Sequence, residues 1–111
     1  MRAIQPGEQR QVFIQRGDSM APEIPGGAVV IIDTSITWHV KDGIYLINFP
    51  GKPGTQFPPT QLIRSVIKGH PGREGEYWMT CLNESYQGDW IKGEDMNIAG
   101  LVTGSVRCAT H

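Results

Sequence analysis

The sequence predicts a mostly β fold, in which short strands are joined by tight turns. Its 111 residues include 14 glycines and 8 prolines, well above ordinary usage, and these residues favour turns over long helices. Apolar residues at helical spacing are scarce, whereas short β-branched runs recur between the glycines and prolines. A chain of this length forms one domain with its own core and needs neither disulfides nor a metal.

Six segments carry the apolar and β-branched residues that are typical of strands. They are residues 11–15, 28–32, 44–49, 61–68, 76–82 and 96–107. The first ten residues are polar and are predicted to be a linker or arm, which leaves residues 11–111 as the domain. Within the last strand, Gly100 and Gly104 permit a kink or the close approach of another backbone.

The segments between these strands are predicted to be loops. Residues 50–60 are rich in proline, which supplies no backbone donor to a β-ladder and interrupts helices. The polar stretch 83–94 has Trp90 and Ile91 as its apolar anchors. Trp38 is expected to pack beneath the connection over residues 33–40.

Charge and hydropathy exclude several classes of function. Ten basic and 11 acidic residues give a net charge of -1, and no basic stripe is present, so this chain is not expected to bind nucleic acid directly. The sequence has no signal peptide and no apolar run of membrane-spanning length, which predicts a cytoplasmic protein without a membrane partner.

The number and spacing of the cysteines and histidines do not match a disulfide framework or a metal site. Cys81 and Cys108 are too few for a disulfide framework and are expected to pack as small apolar groups. His39, His70 and His111 lie in unrelated turns and at a terminus, without the close spacing of a zinc site. No metal or cofactor is therefore predicted.

One serine stands in a segment that should hold it in place. Gly17 can adopt backbone angles that other residues avoid, and Pro22 restricts the residue before it, so Ser19 is expected to lie in a fixed turn. The buried strand 28–32 follows and ends at Asp33. Serine beside glycine and proline commonly bonds its own backbone, but a fixed serine also suits nucleophilic catalysis.

Four blocks of the sequence resemble the LexA and phage-repressor family of self-cleaving Ser-Lys proteins, which is related to the bacterial signal peptidases. The first block is Gly17-Asp-Ser-Met-Ala-Pro22 with the strand after it. The others follow in the family's order, at residues 42–46, at residues 82–86, which resemble the family's Asn-Pro-x-Tyr turn, and at residues 98–102. The resemblance spans residues 11–107 and implies short, highly twisted antiparallel strands with little helix.

The resemblance also implies a catalytic arrangement. Ser19 would be the nucleophile, and a lysine kept neutral by burial would take its proton. The backbone N–H groups of Asp18 and Ser19 would hold the oxyanion. Met20 would line the substrate-binding site, although a buried methionine more commonly fills a core.

The identity of the base stays open at this point. The family's lysine motif best matches Ile63-Arg-Ser-Val66, which puts Arg64 at the lysine position, and an arginine does not accept a proton. Lys68, four residues along the same strand, is the alternative base, and a domain that keeps Ser19 but has lost its base is the other alternative. Lys41 and Lys52 are more remote candidates, because loop lysines are usually solvated charges.

The resemblance implies the regulatory C-terminal domain of a phage, prophage or SOS-type repressor, which dimerises and undergoes Ser-Lys autoproteolysis. We expect a homodimer formed through strands near residues 96–107, with a RecA filament or an antirepressor as the further partner. An inactive module that serves only oligomerisation or antirepressor binding is the alternative. A signal-peptidase-like processing enzyme is disfavoured by the missing membrane anchor. The family's helix-turn-helix and its Ala-Gly or Cys-Gly cleavage pair are not found before Ser19, so DNA binding is expected to reside in another domain.

Overall fold

A computed structural model describes residues 9–56 and 58–107. The strands are β1 Arg10–Ile14, β2 Val29–Asp33, β3 Gly43–Phe49, β4 Thr60–Ile67, β5 Glu76–Thr80, β6 Asp89–Lys92 and β7 Ile98–Val106. They form one antiparallel sheet in the order β1-β2-β7-β3-β4-β5-β6. A 3-10 turn, Gly93–Asp95, precedes β7. The predicted fold class, mostly β with little helix, is confirmed.

Two apolar clusters form the core. The first core cluster is Met20, Ile24, Ala28, Val30, Ile32, Leu46 and Ile63. The second core cluster is Tyr45, Ile47, Val66, Met79, Ile98 and Leu101. Strand β3 contributes to both, because successive side chains of a strand point to opposite faces of the sheet. The two clusters therefore lie on opposite sides of β3.

Strand β7 enters the middle of the sheet between β2 and β3. It approaches β2 closely at Gly100, where a Cβ atom would lie 2.3 Å from Cγ2 of Ile32 and 3.0 Å from the carbonyl oxygen of Asp33. Its registers with both neighbours shift, between Ile31 and Ile32 and between Leu46 and Ile47. The close approach predicted for Gly100 is confirmed.

A buried tyrosine fixes the connection between β2 and β3. The Tyr45 hydroxyl donates a hydrogen bond to the Lys41 carbonyl oxygen at 2.7 Å and accepts bonds from the N–H groups of Val40 and Lys41 at 3.1 and 3.3 Å. The ring itself lies in the second core cluster. This one side chain therefore satisfies three backbone groups of a segment that belongs to no strand.

The structure departs from the predicted secondary structure and packing in three places. The polar stretch 83–94, predicted to be a loop, contains β6, which pairs with β5 through Trp78 opposite Trp90. Trp38, predicted to be packed, is 57% exposed, and Ile36 instead packs against the second core cluster. Of the predicted arm, residues 1–8 lie outside the described residues, whereas Arg10 begins β1.

Candidate functional site

The serine turn connects β1 to β2 and is closed at its base. The N–H of Gln15 donates to the Ala28 carbonyl at 3.0 Å, and the N–H of Gly27 donates back to the Gln15 carbonyl at 2.8 Å. Gly17 has a φ of +76°, a backbone angle that side-chain-bearing residues rarely adopt. Residues 16–26 therefore form a loop whose two ends are fixed to each other.

The Ser19 hydroxyl is half-buried and contacts an amide rather than a base. Nε2 of Gln15 donates a hydrogen bond to Ser19 Oγ at 3.3 Å, and Gln15 is only 4% exposed. A carboxamide nitrogen has no basic lone pair with which to take a proton from the hydroxyl. This contact therefore positions Ser19 but does not activate it.

A second loop, residues 81–88, closes over the serine turn. Asn83 Nδ2 donates to the Asp18 carbonyl oxygen at 2.8 Å, and the Asn83 N–H donates to the Ser19 carbonyl oxygen at 3.0 Å. The Tyr86 hydroxyl donates to Asp18 Oδ1 at 2.5 Å, and the Leu82 N–H donates to the Met20 sulfur at 3.4 Å. The two loops, more than sixty residues apart in sequence, are thus held together by four hydrogen bonds.

The contact between Tyr86 and Asp18 depends on the protonated phenol. The hydrogen bond to Asp18 and the negative charge of its carboxylate raise the pKa of Tyr86 above its usual value, while the positive charge of Arg64 acts in the opposite direction. Because the folded protein favours the protonated phenol, this contribution to stability is fully present below the usual tyrosine pKa. It is lost as the pH rises through the raised pKa.

Lys68 is not brought to Ser19. Its N–H donates to Asp42 Oδ1 at 2.9 Å, and its ammonium lies 5.6 Å from the ring centroid of Tyr77. Tyr77 packs against the second core cluster, whereas Met20, next to Ser19, belongs to the first. The residue of β4 that reaches the first core cluster is Ile63, which has no basic group.

Arg64 makes its polar contact within its own strand. Its guanidinium donates to the carbonyl oxygen of Ile63 at 2.7 Å, and its charge acts on Tyr86. Lys41 and Lys52 contribute backbone groups to local turns. Among the described residues, none of the four candidate cations has a hydrogen bond to Ser19.

The remaining predicted site residues divide between core and surface. Met20 is completely buried in the first core cluster, so its side chain fills the core and does not line a surface cleft. The backbone N–H groups of Asp18 and Ser19, predicted to hold the oxyanion, donate to no residue that the structure describes.

Sequence reasoning missed Gln15 and the roles of Asn83 and Tyr86. The signal for the last two was present, because residues 82–86 resembled the family's turn, but the pattern did not say what the turn contacts. Gln15 directly follows β1, and closure of the loop brings its side chain to Ser19.

The side chains that could bind a metal are scattered in the described part of the chain. His39 Nε2 lies 3.1 Å from Asp42 Oδ1, and the ring packs against Tyr45 and Tyr77. Cys81 packs against the first core cluster, whereas Cys108 and His111 lie outside the described residues. Within residues 9–56 and 58–107, no three metal-binding side chains lie together.

Comparison with known proteins found no matching family model, no similar curated protein and no similar solved structure. Among the residues described, no helix has the length and apolar character needed to cross a bilayer.

Proposed function

We propose that this chain is a self-associating regulatory domain, of the kind found in repressors of the LexA and phage-repressor family, in which Ser19 has a structural role. The observation that carries the proposal is an exposed aliphatic surface on three adjacent strands. The resemblance of the serine turn, the 82–86 turn and the last strand to that family supports the regulatory role.

The aliphatic patch consists of Val12, Ile14, Val29, Ile31 and Val106. Register places Ile14 opposite Val29, and Val29 opposite Val106, while Val12 lies opposite Ile31. Residues that are opposite each other in a ladder share one face of the sheet. Val12, Ile14 and Val106 are 65%, 57% and 58% exposed, so the patch presents branched side chains to solvent.

A second copy of the chain is the partner that fits this surface best. Strand β1 is the terminal strand of the sheet, and among the described residues no further strand pairs with its outer edge. An exposed apolar strand at a sheet edge is prone to pair with another chain. A twofold arrangement would pair β1 with its own copy and bring the two aliphatic patches side by side on one face of the extended sheet.

The proposed interface differs from the one expected from sequence. The strands near residues 96–107 were expected to form it, but Ile98 and Leu101 are buried in the second core cluster. Val106, at the far end of β7, lies in the aliphatic patch. The proposal therefore moves the interface to β1 and β2 and keeps only the end of β7.

The contacts of Ser19 support a domain without peptidase chemistry. A serine hydroxyl needs a neighbouring base to become a nucleophile, and its side-chain neighbour is the Gln15 carboxamide. In this proposal, a RecA filament or an antirepressor would act on the assembly, and DNA would be bound by a separate domain.

Association can be tested by sedimentation of the chain at micromolar concentrations. We expect a dimer, and we expect Ile14→Asp to raise its dissociation constant at least about ten-fold, because two carboxylates would be buried at one interface. Ile67→Asp is the matched control, since Ile67 is also an exposed strand residue but lies on β4. A monomeric wild-type chain, or equal effects of the two substitutions, would contradict the proposal.

The inertness of Ser19 can be tested with a serine-reactive fluorophosphonate. Because no base activates the hydroxyl, labelling of the wild-type chain should match that of Ser19→Ala within about two-fold at neutral and alkaline pH. Labelling that disappears in both Ser19→Ala and Lys68→Ala would instead establish an active Ser-Lys pair.

A further inference from the structure

An aromatic pocket lies near the other edge of the sheet from the aliphatic patch, beside β4, β5 and β6. Its volume is about 480 Å³, and its apolar walls are Ile67, Trp78 and Trp90. The two indole rings are 5.2 Å apart between centroids and are tilted by 55°, because Trp78 and Trp90 are opposite each other in the β5–β6 ladder. The two rings contact each other at this tilt, and the pocket lies beside them, next to Ile67.

The polar side chains around this aromatic pocket include the cations Lys68 and Arg73. Lys68 and His70 line it, and the Arg73 guanidinium lies 4.5 Å from the ring centroid of Trp90. Neither indole N–H donates a hydrogen bond to any residue that the structure describes. No aspartate or glutamate is among the residues described as lining it.

Arg73 can exchange its present partner for a better one. Its guanidinium is 3.5 Å from Glu76 Oε2, and both side chains are well exposed to solvent. A contact of this length is at the limit of a hydrogen bond, and exposed ion pairs contribute little to stability. Arg73 can therefore exchange its contact with Glu76 for one with a carboxylate of a bound partner at little cost in free energy.

We propose that this pocket docks an extended acidic peptide of a partner protein. An aromatic or branched side chain of the peptide would enter the pocket lined by Ile67, Trp78 and Trp90, and a neighbouring carboxylate would meet Arg73. Tryptophan and arginine are the residues most enriched at the energetic centres of protein interfaces. This proposal does not rest on self-association, since the pocket and the aliphatic patch share no residue.

The same geometry disfavours a nucleic acid. Stacking of bases requires open aromatic faces, but one face of Trp90 is covered by Arg73, and His70 packs edge-on against the same ring at 74°. A chain of net charge -1 also provides no extended track for a phosphate backbone.

The test uses the intrinsic fluorescence of the two pocket tryptophans. In a Trp38→Phe background, which removes the remaining tryptophan, the probe N-acetyl-Glu-Phe-Glu-amide is titrated into the protein. We expect a saturable change with a dissociation constant of about 0.1–1 mM, given the small size of the probe. The matched peptide N-acetyl-Gln-Phe-Gln-amide should bind roughly five-fold more weakly, because exposed ion pairs contribute modestly.

Protein variants distinguish binding at the pocket from non-specific attraction of the acidic probe to surface cations. Arg73→Gln should weaken binding of the acidic probe about three-fold or more, since it removes one charge contact at the rim. Lys52→Gln, which changes an exposed lysine in the proline-rich loop, should leave binding unchanged. Trp90→Ala should abolish binding. If the Trp90→Ala protein does not fold, the surface variant Arg73→Gln still tests the proposal.

Three results would overturn the proposal. The first is equal binding of the glutamate and glutamine peptides, which would remove the role of charge. The second is saturation of the same signal by single-stranded oligo(dT) in place of the peptide, which would make the partner a nucleic acid. The third is the absence of any change at probe concentrations about ten times the expected dissociation constant.

Discussion

Replacing Met20 with alanine should lower the free energy of unfolding by about 2–5 kcal/mol. The side chain is completely buried in the first core cluster, so the substitution removes apolar contacts and leaves a cavity. It also removes the sulfur that accepts the N–H of Leu82 at 3.4 Å. Urea denaturation would register the loss as a lower midpoint with an unchanged slope.

Met20→Leu is the matched control for this experiment. It keeps the apolar volume, so it should cost less than about 1.5 kcal/mol. A Met20→Ala protein as stable as the wild type would contradict the buried position, and would return Met20 to the substrate-lining role expected from sequence.

Replacing Gly100 with alanine should cost about 1–3 kcal/mol, because the new methyl group would overpack the contact between β7 and β2. The nearest atoms would be Cγ2 of Ile32 at 2.3 Å and the Asp33 carbonyl oxygen at 3.0 Å. Ile32 is itself fully buried, so it has little room to move aside. Thermal unfolding monitored by circular dichroism measures the effect.

Gly104→Ala provides the comparison within the same strand. There the nearest atom to a Cβ would be Cδ1 of Ile31 at 4.0 Å, an ordinary van der Waals contact, and the change should stay within about 0.5 kcal/mol. Similar losses for the two glycines would show that general strand propensity, and not the close approach at Gly100, sets the cost.

Most of the strands could be predicted because they consist of apolar, β-branched residues, which both favour strands and become buried. The predicted strands 28–32 and 44–49 are apolar and β-branched and lie between turn-forming residues, and the structure has strands Val29–Asp33 and Gly43–Phe49 there. Strand β6 could not be predicted in this way. Its residues Asp89–Lys92 include only two apolar side chains, Trp90 and Ile91, within a polar stretch. They form a strand because these two side chains lie across from β5.

The candidate site was predictable to the extent that it depends on local sequence. The turn around Ser19 follows from Gly17 and Pro22, which act on their immediate neighbours. Which residue faces Ser19 depends instead on strand register and loop closure. A shift of one residue along a strand moves a side chain to the other face, so the positions of Arg64 and Lys68 could not be read from their spacing.

The sheet order also determines how the chain would carry mechanical tension. Strands β1 and β7 flank β2, with Arg10 opposite Asp33 at one end of β2 and Val106 opposite Val29 at the other. A pull on the chain before β1 and after β7 therefore acts along the strands in opposite directions. Antiparallel ladder bonds are perpendicular to the strands, so this pull loads the bonds of both ladders together in shear rather than opening them one at a time.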